Sequence, residues 1–493
     1  MRPLLTGASV AGLVAALTLG SAVAFGRPSE RPAAAAPAGA PASGIAGLQE
    51  RVREQPHDAA AWAALGIAYV EQARLTADPA YYPKADEVLR RSLREAPGND
   101  GALAGLGALA AARHDFHGAL RYADQALKAN PHGQKAAAVR VDALVELGRY
   151  DGALAAARRA DSARPGVPIF TRLAYVRELR GEVREARRVL GLARSSATDP
   201  GDLAYIATQL GELAWNDGDL GRAGREYAEA LRLSPGYLPA LDGQARVKAA
   251  RGDTAGALAE RAEIVRRLPL PQYLTEYGEL LEASGRPDEA KRQYAVATAW
   301  ARIAEANGVD ADLETALSES DHGDPKAALR AARAEYGRRC PDPGVRQCSV
   351  HAADALAWAL HVNGRDEEAL RYARQATATG YRRAQFRYHL GAIEKALGKR
   401  ADARRDLAGR CAATRGSRRC GRPAPRPLWR TWEGPRDRFT AGGRADRRAS
   451  AGELHRQPLR RAGRRPARAA DRPRGGPRRD PGRAGDAGDR HRP

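Results

Sequence analysis

Cysteine, methionine and phenylalanine are scarce in this chain of 493 residues, which holds four, one and five of them. Four Cys cannot build the dense disulfide framework that holds small secreted domains together. Aromatic residues make up only 5% of the chain, so any interior has to be filled by Ala, Leu and Val. That filling suits helices whose backbones approach closely. Enzyme signatures are missing as well. No glycine-rich loop ends in Gly-Lys-Ser or Gly-Lys-Thr to cradle phosphates, and no His-Glu-x-x-His offers two zinc ligands on one helix face. No Gly-x-Ser-x-Gly elbow presents a serine nucleophile. No catalytic residues and no cofactor are therefore expected. One long apolar run exists, from Ala8 to Ala24.

That run follows Met1-Arg2-Pro3 and ends in Ala22-Val23-Ala24. A basic start, an apolar middle and small residues at the end are the three parts of a secretory signal. Residues 1–25 are thus expected to be a cleaved signal or an uncleaved membrane anchor. Either places the chain outside the cytoplasm, with membrane contact only if the anchor stays. Residues 26–44 are rich in Ala, Pro, Ser and Gly and read as a linker without fixed structure.

The formal net charge of +22 suggests a nucleic-acid partner until its placement is considered. After Gly409 there are about 25 Arg against about 8 acidic residues, so the tail carries most of the excess. Residues 409–493 contain no Val, Ile, Lys, Tyr, Asn or Met, too little apolar surface to offset the entropy of ordering them. A native basic tail is one explanation. A shift of reading frame in a GC-rich gene is the other, and it also accounts for a last repeat that stops in mid-helix. Nucleic acid is accordingly the second choice of partner, through the Arg-rich tail.

Between 45 and 408 the chain repeats at about 34 residues. One unit reads Leu103, Leu106, Gly107, then His114-Asp115-Phe116, then Ala119, Ala123, Ala126. The next reads Ala137, Val141, Leu144, then Leu147-Gly148-Arg149-Tyr150, then Ala153, Ala157, Ala160. Apolar spacings of three and four make each half an amphipathic helix. Pro97, Pro131 and Pro165 close the units, because Pro cannot donate the backbone bond that continues a helix. About ten units are present. Thr76 to Pro83, with Tyr81 and Tyr82 inside it, reads as an insertion in the first turn.

This pattern resembles the tetratricopeptide repeat. The resemblance implies an all-α, right-handed superhelical solenoid of tandem helix-turn-helix repeats. It also implies a non-catalytic scaffold whose first helices line a concave groove for a protein or peptide partner. Groove positions carried over are Ala60, Ala63, Ile67, Ala104 and Ala108 in the early repeats, and Tyr205, Thr208, Glu212, Asp242 and Arg246 later. The Lys/Asn pattern with which some members grip a C-terminal carboxylate is absent. The richest cluster is His351, Asp354, Trp358 and His361, on one helix face, with Tyr388 beside them. It is read as partner-binding. An ordinary polar face and a metal contact through His351, Asp354 and His361 remain alternatives. Cys340 and Cys348 bracket a Pro/Gly loop and form a candidate disulfide, worth about 2.5 kcal/mol through chain entropy. Free thiols and a metal site with His351 are the alternatives.

Overall fold

A computed structural model describes residues 44–340 and 348–408. Every described element is a helix, and all of them belong to one compact unit. A short α1 (Ile45–Glu54) precedes ten hairpins. Hairpins 1 to 3 are α2 (Ala59–Thr76) with α3 (Tyr81–Glu95), α4 (Asp100–Ala112) with α5 (Phe116–Ala129), and α6 (Gln134–Glu146) with α7 (Tyr150–Ala163). Hairpins 4 to 6 are α8 (Val167–Leu179) with α9 (Val183–Ser196), α10 (Pro200–Asn216) with α11 (Leu220–Leu233), and α12 (Leu238–Arg251) with α13 (Thr254–Arg267). Hairpins 7 and 8 are α14 (Pro271–Ala283) with α15 (Pro287–Ala306), and α16 (Asp312–His322) with α17 (Pro325–Arg339). The last two are α18 (Val350–Val362) with α19 (Asp366–Thr377), and α20 (Ala384–Ala396) with α21 (Arg400–Ala408). The fold is the expected all-α superhelical solenoid of helical hairpins.

Local chemistry sets the hairpin boundaries. Asn99 caps α4 by accepting from the Ala102 amide at 3.0 Å, and Asp115 caps α5 by accepting from Gly118 at 2.8 Å. The residue two places before each second helix commonly takes positive φ, as at Gly148 (+68°), Gly181 (+75°), Gly252 (+89°) and Gly364 (+78°). Within each hairpin small residues let the helices close. Ala119, Ala123, Ala153, Ala157 and Ala223 are fully buried. Tyr227 fills the space left by Gly211 of its own hairpin and Gly243 of the next. A Cβ on either glycine would fall inside contact distance of its ring. A larger residue at Gly243 would force that ring out.

The first turn differs from expectation. The break between α2 and α3 spans only Ala77 to Ala80, and Tyr81 and Tyr82 open the second helix. Tyr82 is buried, and burial pushes its hydroxyl up to about 12. An aromatic pair can start a helix when one ring has a core to enter.

The solenoid also touches itself after about six hairpins. In hairpin 2, His114 replaces the usual turn glycine at φ +63°. Its Nδ1 donates to the Asp310 carbonyl at 2.6 Å, and the Asp310 amide donates back to the Arg113 carbonyl at 3.0 Å. Trp300 Nε1 donates to the Ala77 carbonyl at 3.1 Å. The Val350 amide donates to the Tyr150 hydroxyl at 2.9 Å, and Arg382 meets Asp217 at 2.7 Å. Arg339 pairs with Glu146. The turns of hairpins 1 to 5 thus lie along the later ends of hairpins 7 to 10. One apolar core runs across this seam, joining Leu144, Tyr150 and Leu179 to Val350, Tyr381 and Phe386.

Candidate functional site

The first helices of successive hairpins carry polar side chains on the face that a repeat solenoid turns inward. In hairpins 3 to 10 these side chains link one hairpin to the next. Arg172 on α8 holds Asp142 on α6 at 2.8–3.0 Å. Asn216 on α10 donates to Glu178 on α8 at 2.8 Å. Arg246 on α12 bridges Glu212 on α10 and Asp242 of its own helix. Arg261 on α13 lies between Asp242 and Glu276 on α14. His322 on α16 faces Glu279 on α14 at 3.3 Å. Trp358 on α18 donates to Asp321 on α16 at 2.7 Å, and His389 on α20 donates to Asp354 on α18 at 2.9 Å. Three junctions use arginine with carboxylates and the others use Asn, His or Trp as the donor, so removing one partner of a buried pair leaves the other unmatched.

Burial governs the protonation of this ladder. Glu178 is pushed up to about 7 by burial, against the downward pull of its bond from Asn216. Glu279 is pushed up to about 8 by burial, with the hydrogen bond to His322 opposing. Glu276 is also raised by burial, against the pull of the Arg261 charge.

The five residues of the sequence-derived cluster fall into two groups. Asp354, Trp358, His361 and Tyr388 are brought together at the junction of hairpins 9 and 10. Trp358 lies 4.9 Å from the His361 ring and 5.9 Å from Tyr388, centroid to centroid. His351 is on the same helix but turns to the seam. It shares a hydrogen bond with the Tyr175 hydroxyl at 3.2 Å and meets Phe386 edge-on at 5.5 Å. Burial, aided by the charges of Arg383 and Arg339, keeps its pKa well below the usual range. His361 bonds to Asp366 and Asp354 to His389, so His351, Asp354 and His361 each serve a separate partner.

Exposure decides what a partner can reach. His351, Asp354 and Trp358 are 6%, 2% and 3% exposed, whereas His361 and Tyr388 are half-buried. The other carried-over groove positions behave alike. Ala63, Ala104, Tyr205, Thr208, Asp242 and Arg246 are buried, Ile67, Ala108 and Glu212 are half-buried, and Ala60 is exposed. The physical reason is packing between neighbouring helices for Ala63 and Ala104, and the polar ladder for Asp242 and Arg246.

His389 is the member that sequence reasoning missed. It stacks on Trp358 at 4.2 Å with the planes 9° apart, and its Nδ1 is held by both Asp354 oxygens. A signal was present: His389 follows Asp354 by 35 residues, about one repeat. Cys340 and Cys348 are bonded, with Cα atoms 5.5 Å apart, and Cys348 is buried against the Gly148 turn across the seam. Among the described residues, the His and acidic side chains whose potential ligand atoms lie within 4.8 Å of one another are Glu279, Asp321 and His322. A cleft of about 230 Å³ opens nearby between α14, α15 and α16, lined by Thr275, Thr298, Arg302, Thr315 and Ser318 among others. The Arg-rich tail, on which polyanion binding would depend, and the apolar run at Ala8–Ala24 lie outside the described residues. No described helix is long and apolar enough to cross a membrane.

No family model matches the chain. Cellulose synthase 1 operon protein C of Komagataeibacter xylinus is 30% identical over 233 residues, which is 43% of this chain. The match spans only 17% of that relative's length. Among solved structures, the Cut9–Hcn1 hetero-tetramer of the APC/C is similar over 75% of this chain and 73% of its own, at 12% identity and a TM-score of 0.43. A tetratricopeptide repeat protein from Parabacteroides merdae is similar over 53% of this chain and 98% of its own, at 14% identity and a TM-score of 0.36.

Proposed function

We propose that the chain is a non-catalytic scaffold that holds a protein or peptide partner outside the cytoplasm, with hairpins 9 and 10 as the contact. The observation that carries this reading is the stack of Trp358 on His389. Both rings are buried and fixed, one by Asp321 and the other by Asp354. Beside them, tilted against Trp358, are the half-buried His361 and Tyr388. A rigid aromatic pair beside two partly exposed rings suits a partner's aromatic or Arg side chain, because little ordering entropy remains to be lost on binding. In this reading His361 and Tyr388 touch the partner, while Trp358 and Asp354 position them and His351 anchors the helix at the seam.

Two observations support a location outside the cytoplasm. The Cys340–Cys348 bond is of the kind that persists in oxidising compartments, and residues 1–25 have the layout of an export signal or anchor. The name of the Komagataeibacter relative places that protein in a cellulose synthase operon. Carried to this chain, the partner would be a protein component of a polysaccharide-producing assembly.

The test is site-specific photo-crosslinking of the exported full chain in its own cells, with the crosslinker at Tyr388 and, as a control, at exposed Arg90 on α3. The expected result is one crosslinked partner from Tyr388 and none from Arg90. Tyr388→Ala combined with His361→Ala should lose that partner while keeping wild-type helicity. Retention of the same partner by the folded double variant would overturn the assignment.

A further inference from the structure

Along the ladder, Asp142, Glu212, Asp242 and Glu276 are matched by arginine, as is Glu146 across the seam, while Glu178 is held by Asn216 and Asp354 by His389. The junction of hairpins 7 and 8 departs from this. Glu279, Glu282 and Asp321 converge there on a single imidazole, that of His322, and among the described residues no Arg or Lys pairs with any of the three. Two carboxylates and one imidazole, with the exposed Glu282 at the edge, thus share a site where Glu279 is 7% exposed.

The geometry points to a binding site for one divalent first-row transition-metal ion, held by Glu279, Asp321 and His322 with Glu282 at the rim. The three potential ligand atoms lie within 4.8 Å of one another. His322 Nε2 and Glu279 Oε1 are 3.3 Å apart. That is long for an ion pair between charged groups. It is about the edge of a tetrahedron whose ligands stand ~2.0 Å from a central ion. The outer contacts are those of a metal site. Tyr294 stacks on the His322 ring at 4.1 Å with the planes 15° apart and fixes its orientation. Trp358 Nε1 donates to Asp321 Oδ1 at 2.7 Å and holds that carboxylate in place. One imidazole with carboxylates favours zinc or manganese over magnesium or calcium. Because α14 supplies one ligand and α16 supplies two, the ion would clasp hairpin 7 to hairpin 8, next to the cleft where these hairpins stand apart.

The experiment uses the full chain freed of metal, titrated at pH 7 with zinc, manganese and magnesium in a calorimeter, with thermal unfolding followed in parallel. One zinc per chain, a higher midpoint with zinc, and at least tenfold weaker binding in His322→Ala of unchanged helicity are the expected results. Should His322→Ala fail to fold, Asp321→Asn carries the same comparison, since it keeps the acceptor for Trp358 and removes the ligand charge. No zinc bound by the wild-type chain, or equal affinity in wild type and in the folded variant, would overturn the proposal.

Discussion

Two neighbouring junctions solve one problem with opposite chemistry. Between hairpins 6 and 7, Arg261 sits between Asp242 and Glu276, all three buried. Between hairpins 7 and 8 stand Glu279, Asp321 and His322, and among the described residues no arginine pairs with them. The guanidinium keeps its charge at every accessible pH and offers a fork of donors that matches two carboxylates. It therefore closes its junction permanently. Among the described residues no Arg or Lys pairs with the carboxylates of the second junction, and a cleft lined by Arg302 among others lies beside it. The comparison separates a joint closed by a fixed cation from one that, in the proposal above, is closed by a bound metal ion.

The largest expected effect comes from breaking the permanent joint. Arg261→Met would leave Asp242 and Glu276 buried without their shared cation and should cost about 3–5 kcal/mol in urea unfolding. A loss under about 1 kcal/mol would show that the pair is solvated and the ladder is not a buried element.

The next effect concerns pH at a joint that is neither. Glu178 has a carboxyl raised to about 7 in the folded chain, by burial, and pairs with Asn216 rather than a cation. A raised folded pKa means that folding takes up a proton. The stabilisation is full below the unfolded value near 4.5 and is lost as pH rises through about 7. Wild type should therefore lose on the order of 3 kcal/mol more than Glu178→Gln between pH 4 and pH 8. Parallel stability curves for the two proteins would contradict the assigned burial. The glutamine keeps an acceptor for Asn216, so the comparison isolates the charge.

A smaller effect tests the seam. His114 holds a left-handed backbone that costs a non-glycine residue about 1 kcal/mol, and its ring bonds to Asp310. His114→Ala keeps the strain and loses the bond, whereas His114→Gly loses both. The glycine variant should be the more stable of the two by about 1 kcal/mol. Equal thermal midpoints would mean the turn is not held in that conformation.

The hairpins were legible because a 34-residue period repeats the same few requirements: small residues where helices cross, a turn residue between them, a Pro at the end. Val141, Ala153 and Ala157 are buried where that pattern puts them. Tyr81 and Tyr82 misled because they look like turn aromatics, and only the pocket that receives Tyr82 makes them helical. The ladder was partly legible. Glu212 and Arg246 stand 34 residues apart, one repeat, and such pairs can be sought in sequence. The seam was not legible. Its contacts join turn atoms and helix ends some 200 residues apart, as in Tyr150 with Val350, and backbone donors leave no residue signature. His114 was the one visible sign, a bulky residue where sister turns have glycine. The partial exposure of the His361 and Tyr388 cluster follows from packing at the last junctions, which no pattern within one repeat encodes.

The account rests on a superhelix that closes on itself, and amide hydrogen exchange at Asp310 and Val350 tests that most directly. The Asp310 amide donates to Arg113 and the Val350 amide to the Tyr150 hydroxyl, both across the seam. Neither has an acceptor within its own hairpin. Protection of both amides near that of the buried helices, with Tyr150→Phe lowering protection at Val350, is the predicted result. Exchange at the rate of free amides in the folded native chain would mean that the solenoid is open.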